Sequence, residues 1–225
     1  GVQWTIPDAM EEDTILEIRV YTVDNCDNVS ADYARKTFCV DTTSSTVLLD
    51  QTMPTGFISN KKPTISARFR DVGAHPSGYG KTTEFMIDKG LAGERNLLPP
   101  TTQPAQNEPI GNITADITAD LAEGQRKVDI KAEDFAHNSF SLSWTFFVDT
   151  VKPSAPGAIT VTPSSAMSAQ PKPIIAWAAA TDPGFADTPQ TGSGIGSYKA
   201  EIWSTGLAPE RVLGPYTIDA GAAQP

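Results

Sequence analysis

Leu16, Ile18, Val20 and Thr22 alternate with Glu17, Arg19 and Tyr21, the period-two spacing of a strand with one face turned to a core. Val128, Ile130 and Ala132 alternate with Asp129, Lys131 and Glu133 in the same way. Each run ends at an aspartate, Asp24 or Asp134, and passes through a polar loop carrying Asn28 or Asn138. Each then resumes as Thr37-Phe38-Cys39-Val40 or Thr145-Phe146-Phe147-Val148 and closes on Val-Asp-Thr. The pattern predicts one antiparallel hairpin written twice.

A second segment is also repeated. The stretch from Lys61 to Asp88 parallels the stretch from Pro171 to Trp203: Lys62-Pro63 matches Lys172-Pro173, Ile65 matches Ile175, and Asp71 matches Asp182. Ser77-Gly78-Tyr79-Gly80 then matches Ser193-Gly194-Ile195-Gly196, each before a new strand. Proline ahead of a strand and glycine in the turn are the punctuation of all-β domains.

Order along the chain divides it into three parts. Residues 41–150 carry an opening half and a closing hairpin, a whole unit. Residues 151–225 read as opening strands alone, and residues 1–40 as a closing hairpin alone. Joined tail to head, the two fragments come to about the length of one unit. The expectation is one complete domain and one split between the two ends, completed either within a longer array or by a neighbouring subunit.

These features resemble the bacterial Ig-like and fibronectin type III-like tandem domains of large secreted or cell-surface proteins. The closing hairpin of that family runs from a strand through Asp and Gly-Asn to an aromatic strand ending Val-Asp-Thr. Here "VDNCDNVS" and "EDFAHNSF" stand at the loop, with Asp27 and His137 where glycine is usual, and "SGIGSYKAEIW" resembles the family's turn and third strand. The resemblance implies two antiparallel sheets packed face to face. Ile65, Phe69, Phe85, Ile87, Val128, Ile130, Phe146 and Val148 are expected to fill the middle core. Trp177 is expected in the other core, with Trp4, Trp144 and Trp203 at sheet edges or between domains.

A formal charge of −10 disfavours nucleic acid and anionic membranes, since phosphate binding needs a cationic face. No run approaches the roughly 18 apolar residues of a membrane span, so no membrane insertion is expected. No basic-then-apolar leader opens the chain, and its targeting signals are expected elsewhere. The two cysteines, Cys26 and Cys39, fall in one hairpin. They are either a disulfide, which indicates an oxidising compartment, or two unpaired thiols.

Candidate chemistry is sparse. His75 and His137 are the two histidines, both in expected loops, and His137 with Asp134 and Ser139 on one turn lacks the geometry of a triad. "GSGIG" at 192–196 precedes a strand and lacks the Lys-Ser/Thr of a phosphate loop. Glu133 and Asp134, adjacent on a strand, face opposite ways. Hard cations take oxygens from loop carboxylates and carbonyls, which makes Asp24, Asp27, Asn28, Asp41, Asp134, Asn138 and Asp149 calcium candidates. Asn28 and Asn112 open N-linked glycosylation triplets.

Together these readings predict a non-enzymatic extracellular protein without a catalytic site or organic cofactor. It would be a repeat unit of a stalk, fibre or surface layer that partners head to tail with copies of itself. The alternative is an adhesin or carbohydrate-binding accessory module with a glycan or protein ligand, its site on the loops "DPGFADTPQTGSG" and "LLPPTTQPAQNEP".

Overall fold

The computed structural model describes residues 2–6, 9–12, 14–162, 173–185, 192–206 and 208–220. Those residues are all-β, and no helix is long and apolar enough to cross a membrane. The chain divides into two compact units, Gly1–Val148 and Asp149–Pro225.

The first unit opens with a hairpin of β1 (Ile15–Val20) and β2 (Ala34–Cys39), paired antiparallel from Ile15↔Cys39 to Val20↔Ala34. Eight strands follow: β3 (Thr46–Met53), β4 (Gly56–Ile58), β5 (Thr64–Arg70), β6 (Tyr79–Ile87), β7 (Arg95–Asn96), β8 (Ile110–Asp116), β9 (Gly124–Asp134) and β10 (Ser139–Val148). They form a three-stranded sheet in the order β3-β5-β8 and a five-stranded sheet in the order β4-β10-β9-β6-β7. All neighbours are antiparallel except β4, which runs parallel to the end of β10.

The core lies between these two sheets. Ile65 and Phe69 on β5 and Ile113 on β8 meet Phe85 and Ile87 on β6, Val128 and Ile130 on β9, and Phe146 and Val148 on β10. All are at 0% exposure, as the alternation requires when a second sheet covers the face. Phe69 also meets Tyr79 edge to face at 5.3 Å between ring centres. The expectation for Trp144 is corrected: it belongs to this core rather than to a sheet edge or a domain junction. It shares the inward face of β10 with Phe146 and Val148, two and four residues on. Trp4 and Trp203 are exposed.

The hairpin β1–β2 carries the same alternation with a different outcome. Leu16 and Ile18 are only half-buried, and Ile15 and Val20 are 62% and 57% exposed. The disulfide expectation is also corrected: Cys26 and Cys39 are both free and exposed. Cys26 sits in the loop end, whereas Cys39 pairs with Ile15 at the far end of β2. At about 3.3 Å per residue, the strand between them carries the two cysteines well beyond the roughly 7 Å Cα limit for a disulfide.

The second unit contains β11 (Ile159–Thr162) paired with β12 (Ile174–Trp177), and β13 (Ser197–Trp203) paired with β14 (Arg211–Asp219). Trp177 packs edge to face on Tyr198 at 5.5 Å between ring centres. It is half-buried rather than enclosed, because no closing strands lie over it among the described residues.

Candidate functional site

In the middle sandwich three aspartates converge from three separate places. Asp41 follows β2, Asp71 ends the run of β5, and Asp134 closes β9. Their carboxylate oxygens lie within 4.8 Å of one another. Asp71 and Asp134 are buried.

Each carboxylate holds backbone. Asp41 Oδ2 accepts the Ser77 N–H at 2.8 Å and its Oδ1 the Thr43 N–H at 3.1 Å. Asp71 Oδ2 accepts the Gly78 N–H at 2.7 Å and its Oδ1 the Val72 N–H at 3.0 Å. The Ser77-Gly78 turn that launches β6 is therefore gripped by two carboxylates 30 residues apart in sequence. Gly78 has φ +78°, and an added Cβ would lie 2.2 Å from the backbone of Asn107, so only glycine fits.

Asp134 closes the ring from the other side. Its Oδ1 accepts the Asn138 N–H at 2.8 Å and its Oδ2 the Asn138 Nδ2 at 2.9 Å, and the same amide donates to the Asp41 carbonyl at 3.0 Å. His137 inside this loop has φ +72°, the left-handed conformation that explains the glycine expected there. Its side chain is 81% exposed, with Nδ1 3.5 Å from Glu133 Oε2.

Burial pushes the Asp71 carboxyl above the ordinary carboxylate range, and the charges of Asp41 and Asp134 add to this; the Gly78 N–H and the Ser45 hydroxyl act in the opposite direction. Ser45 Oγ, beside Asp71, is buried and makes no hydrogen bond of normal geometry. Converging carboxylates with a hydroxyl alongside are the all-oxygen donor set that suits a hard divalent cation.

The second unit repeats the brace. Asp149 Oδ2 accepts the Ser193 N–H at 2.8 Å and its Oδ1 the Val151 N–H at 3.2 Å, while Asp182 Oδ2 accepts the Gly194 N–H at 2.6 Å. Gly194 has φ +86°. Asp149 and Asp182 thus grip Ser193-Gly194 as Asp41 and Asp71 grip Ser77-Gly78. The buried Asp182 Oδ1 has no hydrogen-bond partner.

The N-terminal hairpin repeats the loop. Asp24 Oδ1 accepts the Cys26 and Asn28 N–H groups at 2.8 and 3.0 Å, and Oδ2 accepts Asn28 Nδ2 at 2.8 Å. Asp27 has φ +63° at the place of His137. The Asn28 bonds, side-chain first, and then the Cys26 N–H hold the Asp24 carboxyl below its ordinary value.

Of the calcium candidates, the structure brings Asp41 and Asp134 together, with Asn138 bonded to both. It adds Asp71, which sequence repetition marked only as a matched position. Asp24, Asp27 and Asn28 form a separate exposed loop, and Asp149 belongs to the second unit. The loop from Leu97 to Pro109 is tied down: Gln103 accepts the Tyr79 hydroxyl at 2.9 Å, and Leu97 and Leu98 pack on the core. In the other candidate binding loop, residues 186–191 lie outside the described residues.

No family model and no curated protein matches the chain. Among solved structures, the dimeric latent PorU from Porphyromonas gingivalis is similar at 22% identity over 64% of this chain, with a TM-score of 0.35. This chain spans 15% of the length of that one, and a likeness at this level bears on neither fold nor function.

Proposed function

We propose that the chain is a segment of tandem Ig-like or fibronectin type III-like domains in an extracellular structural protein, a repeat unit of a surface stalk, fibre or layer. The observation that carries the reading is duplication at atomic detail. The same carboxylate brace holds the Ser-Gly turn in both units, and the same Asp-Asn ring closes both hairpins. The strand orders β3-β5-β8 and β4-β10-β9-β6-β7 resemble the two sheets of Ig-type sandwiches.

A repeated scaffold serves length and stiffness, because each copy adds the same span. The negative charge suits a hydrated exterior surface. In this role the middle sandwich bears load as one cooperative element, with β4 lying parallel to β10 at the exit of the domain.

Stretching the chain between its ends in a single-molecule force experiment tests this. Unravelling of residues 41–148 is expected as one discrete event, lengthening the chain by about 35 nm at roughly 3.4 Å per residue. Gradual extension without a discrete event would rule out a load-bearing domain.

A further inference from the structure

Asp41, Asp71 and Asp134 bring carboxylate oxygens within 4.8 Å of one another, and like charges that close resist joint ionisation. The donors they accept are uncharged amides: Thr43 and Ser77 for Asp41, Val72 and Gly78 for Asp71, and the backbone and side chain of Asn138 for Asp134. Amides spread negative charge without cancelling it. An ionised carboxylate has about four lone-pair sites, and these amides take two on each of the three. Each aspartate therefore keeps capacity for a further partner.

A second observation points to what that partner is. Ser45, just ahead of β3, is 2% exposed. Its Oγ faces the Asp71 carboxyl yet makes no hydrogen bond of normal geometry. A hydroxyl buried in this state is costly unless another group engages its oxygen, and a hard cation takes oxygen ligands of just this kind. A cleft of ≈ 570 Å³ reaches the cluster at Asp41 and Ser77. It gives an ion and its waters a way in.

We propose that Asp41, Asp71, Asp134 and Ser45 bind one calcium ion. Calcium–oxygen distances of about 2.3–2.6 Å let two ligands of one ion stand up to roughly 5 Å apart, and the three carboxylate oxygens lie inside that limit. Water entering from the cleft completes the roughly six to eight oxygens that calcium takes. Magnesium demands near-ideal octahedral geometry at about 2.1 Å, which carboxylates already pinned to backbone are poorly placed to supply.

The ligands come from different parts of the middle sandwich. Asp71 follows β5 of the three-stranded sheet, Asp134 closes β9 of the five-stranded sheet, and Asp41 and Ser45 lie on the segment that leads into β3. One ion there fastens both sheets to that segment. All four residues belong to a single sandwich, so the inference goes beyond the tandem-domain reading and does not rest on it. The Asp24 loop supplies a contrast within the same chain: it has the same Asp-Asn ring, but no such trio of carboxylates forms around it among the described residues.

Calorimetric titration of calcium chloride into the chelator-stripped 225-residue chain tests the proposal, with amide NMR shifts to place the ion. Saturable binding is expected, with a Kd on the order of 10⁻⁴ M, in the range of extracellular calcium modules. The amides of Thr43, Val72, Ser77, Gly78 and Asn138 should shift together with that same midpoint. Magnesium chloride should bind at least about tenfold more weakly. Asp71→Asn should weaken calcium binding by about tenfold or more, and so should Ser45→Ala. Ser45→Ala removes an oxygen that forms no normal hydrogen bond in the free chain, so it tests the site even where Asp71→Asn does not fold; near-UV circular dichroism checks each variant. Asp24→Asn should bind as the wild type does. A folded chain whose five amides show no saturable response up to about 10 mM calcium, well above that range, would overturn the site. Wild-type affinity in folded Ser45→Ala or Asp71→Asn would do the same. None of these outcomes alters the discrete force event, so the tandem-domain reading stands or falls separately.

Discussion

Asn138 reaches back 97 residues to donate its side-chain amide to the carbonyl of Asp41 at 3.0 Å. The bond ties the loop between β9 and β10 to the segment that enters the sandwich, and the same amide also holds Asp134. The end of a domain is thereby fastened to its beginning.

Removing that amide is expected to be costly. In Asn138→Ala the buried Asp134 carboxylate loses its side-chain donor and the Asp41 carbonyl loses its partner. A loss of about 2 kcal/mol is expected, read as a lower urea midpoint at unchanged m-value. An effect within about 0.5 kcal/mol, the range of ordinary surface changes, would show that the amide is dispensable.

Two residues at equivalent positions should respond differently. Ile130→Ala opens a cavity in a closed core and should destabilise the middle sandwich by about 3–4 kcal/mol. Val20→Ala should change stability by less than about 0.5 kcal/mol. Equal losses in thermal melts would mean that β1 is already covered in the single chain.

The Asp24 loop can be examined by its titration. Hydrogen bonds from Asn28 favour the charged form and lower the Asp24 value. The stability this contributes is therefore present above the ordinary carboxylate value and is lost as pH falls through the lower folded one. In Asn28→Ala the NMR-monitored Asp24 midpoint should move up toward the ordinary value. An unmoved midpoint would mean that the backbone donors alone hold the charge.

Asp71 titrates in the opposite sense. Its folded value is raised, chiefly by burial. The fold therefore gains from protonation below the ordinary carboxylate value and loses that gain as pH rises through the raised one. A cation among Asp41, Asp71 and Asp134 would reverse the cost of the ionised state. Millimolar calcium is expected to raise the melting midpoint relative to a chelator, by about 1.4 kcal/mol of stability at ten times Kd. Asp71→Asn should abolish that increment. Identical melts with and without calcium would leave the cluster as a hydrogen-bonded brace alone.

Much of the architecture was written locally. Period-two runs place Val128, Ile130, Phe146 and Val148 on one face, and repetition marks both hairpins and both Ser-Gly turns, because strand alternation and turn chemistry depend on a few consecutive residues. The same alternation placed Trp144 beside Phe146, yet residue type alone suggested a sheet edge for it. Cys26 and Cys39 are near in sequence and remain apart, because an extended strand separates them. Asp71 carried no local sign of joining Asp41 and Asp134, since their meeting depends on which strands pair across the sandwich. By itself, then, the sequence determined the strands, their inward faces and the repeats. Only the tertiary structure decided which faces are covered and which carboxylates converge: alternation is a property of one strand, whereas burial requires a second sheet to lie over it.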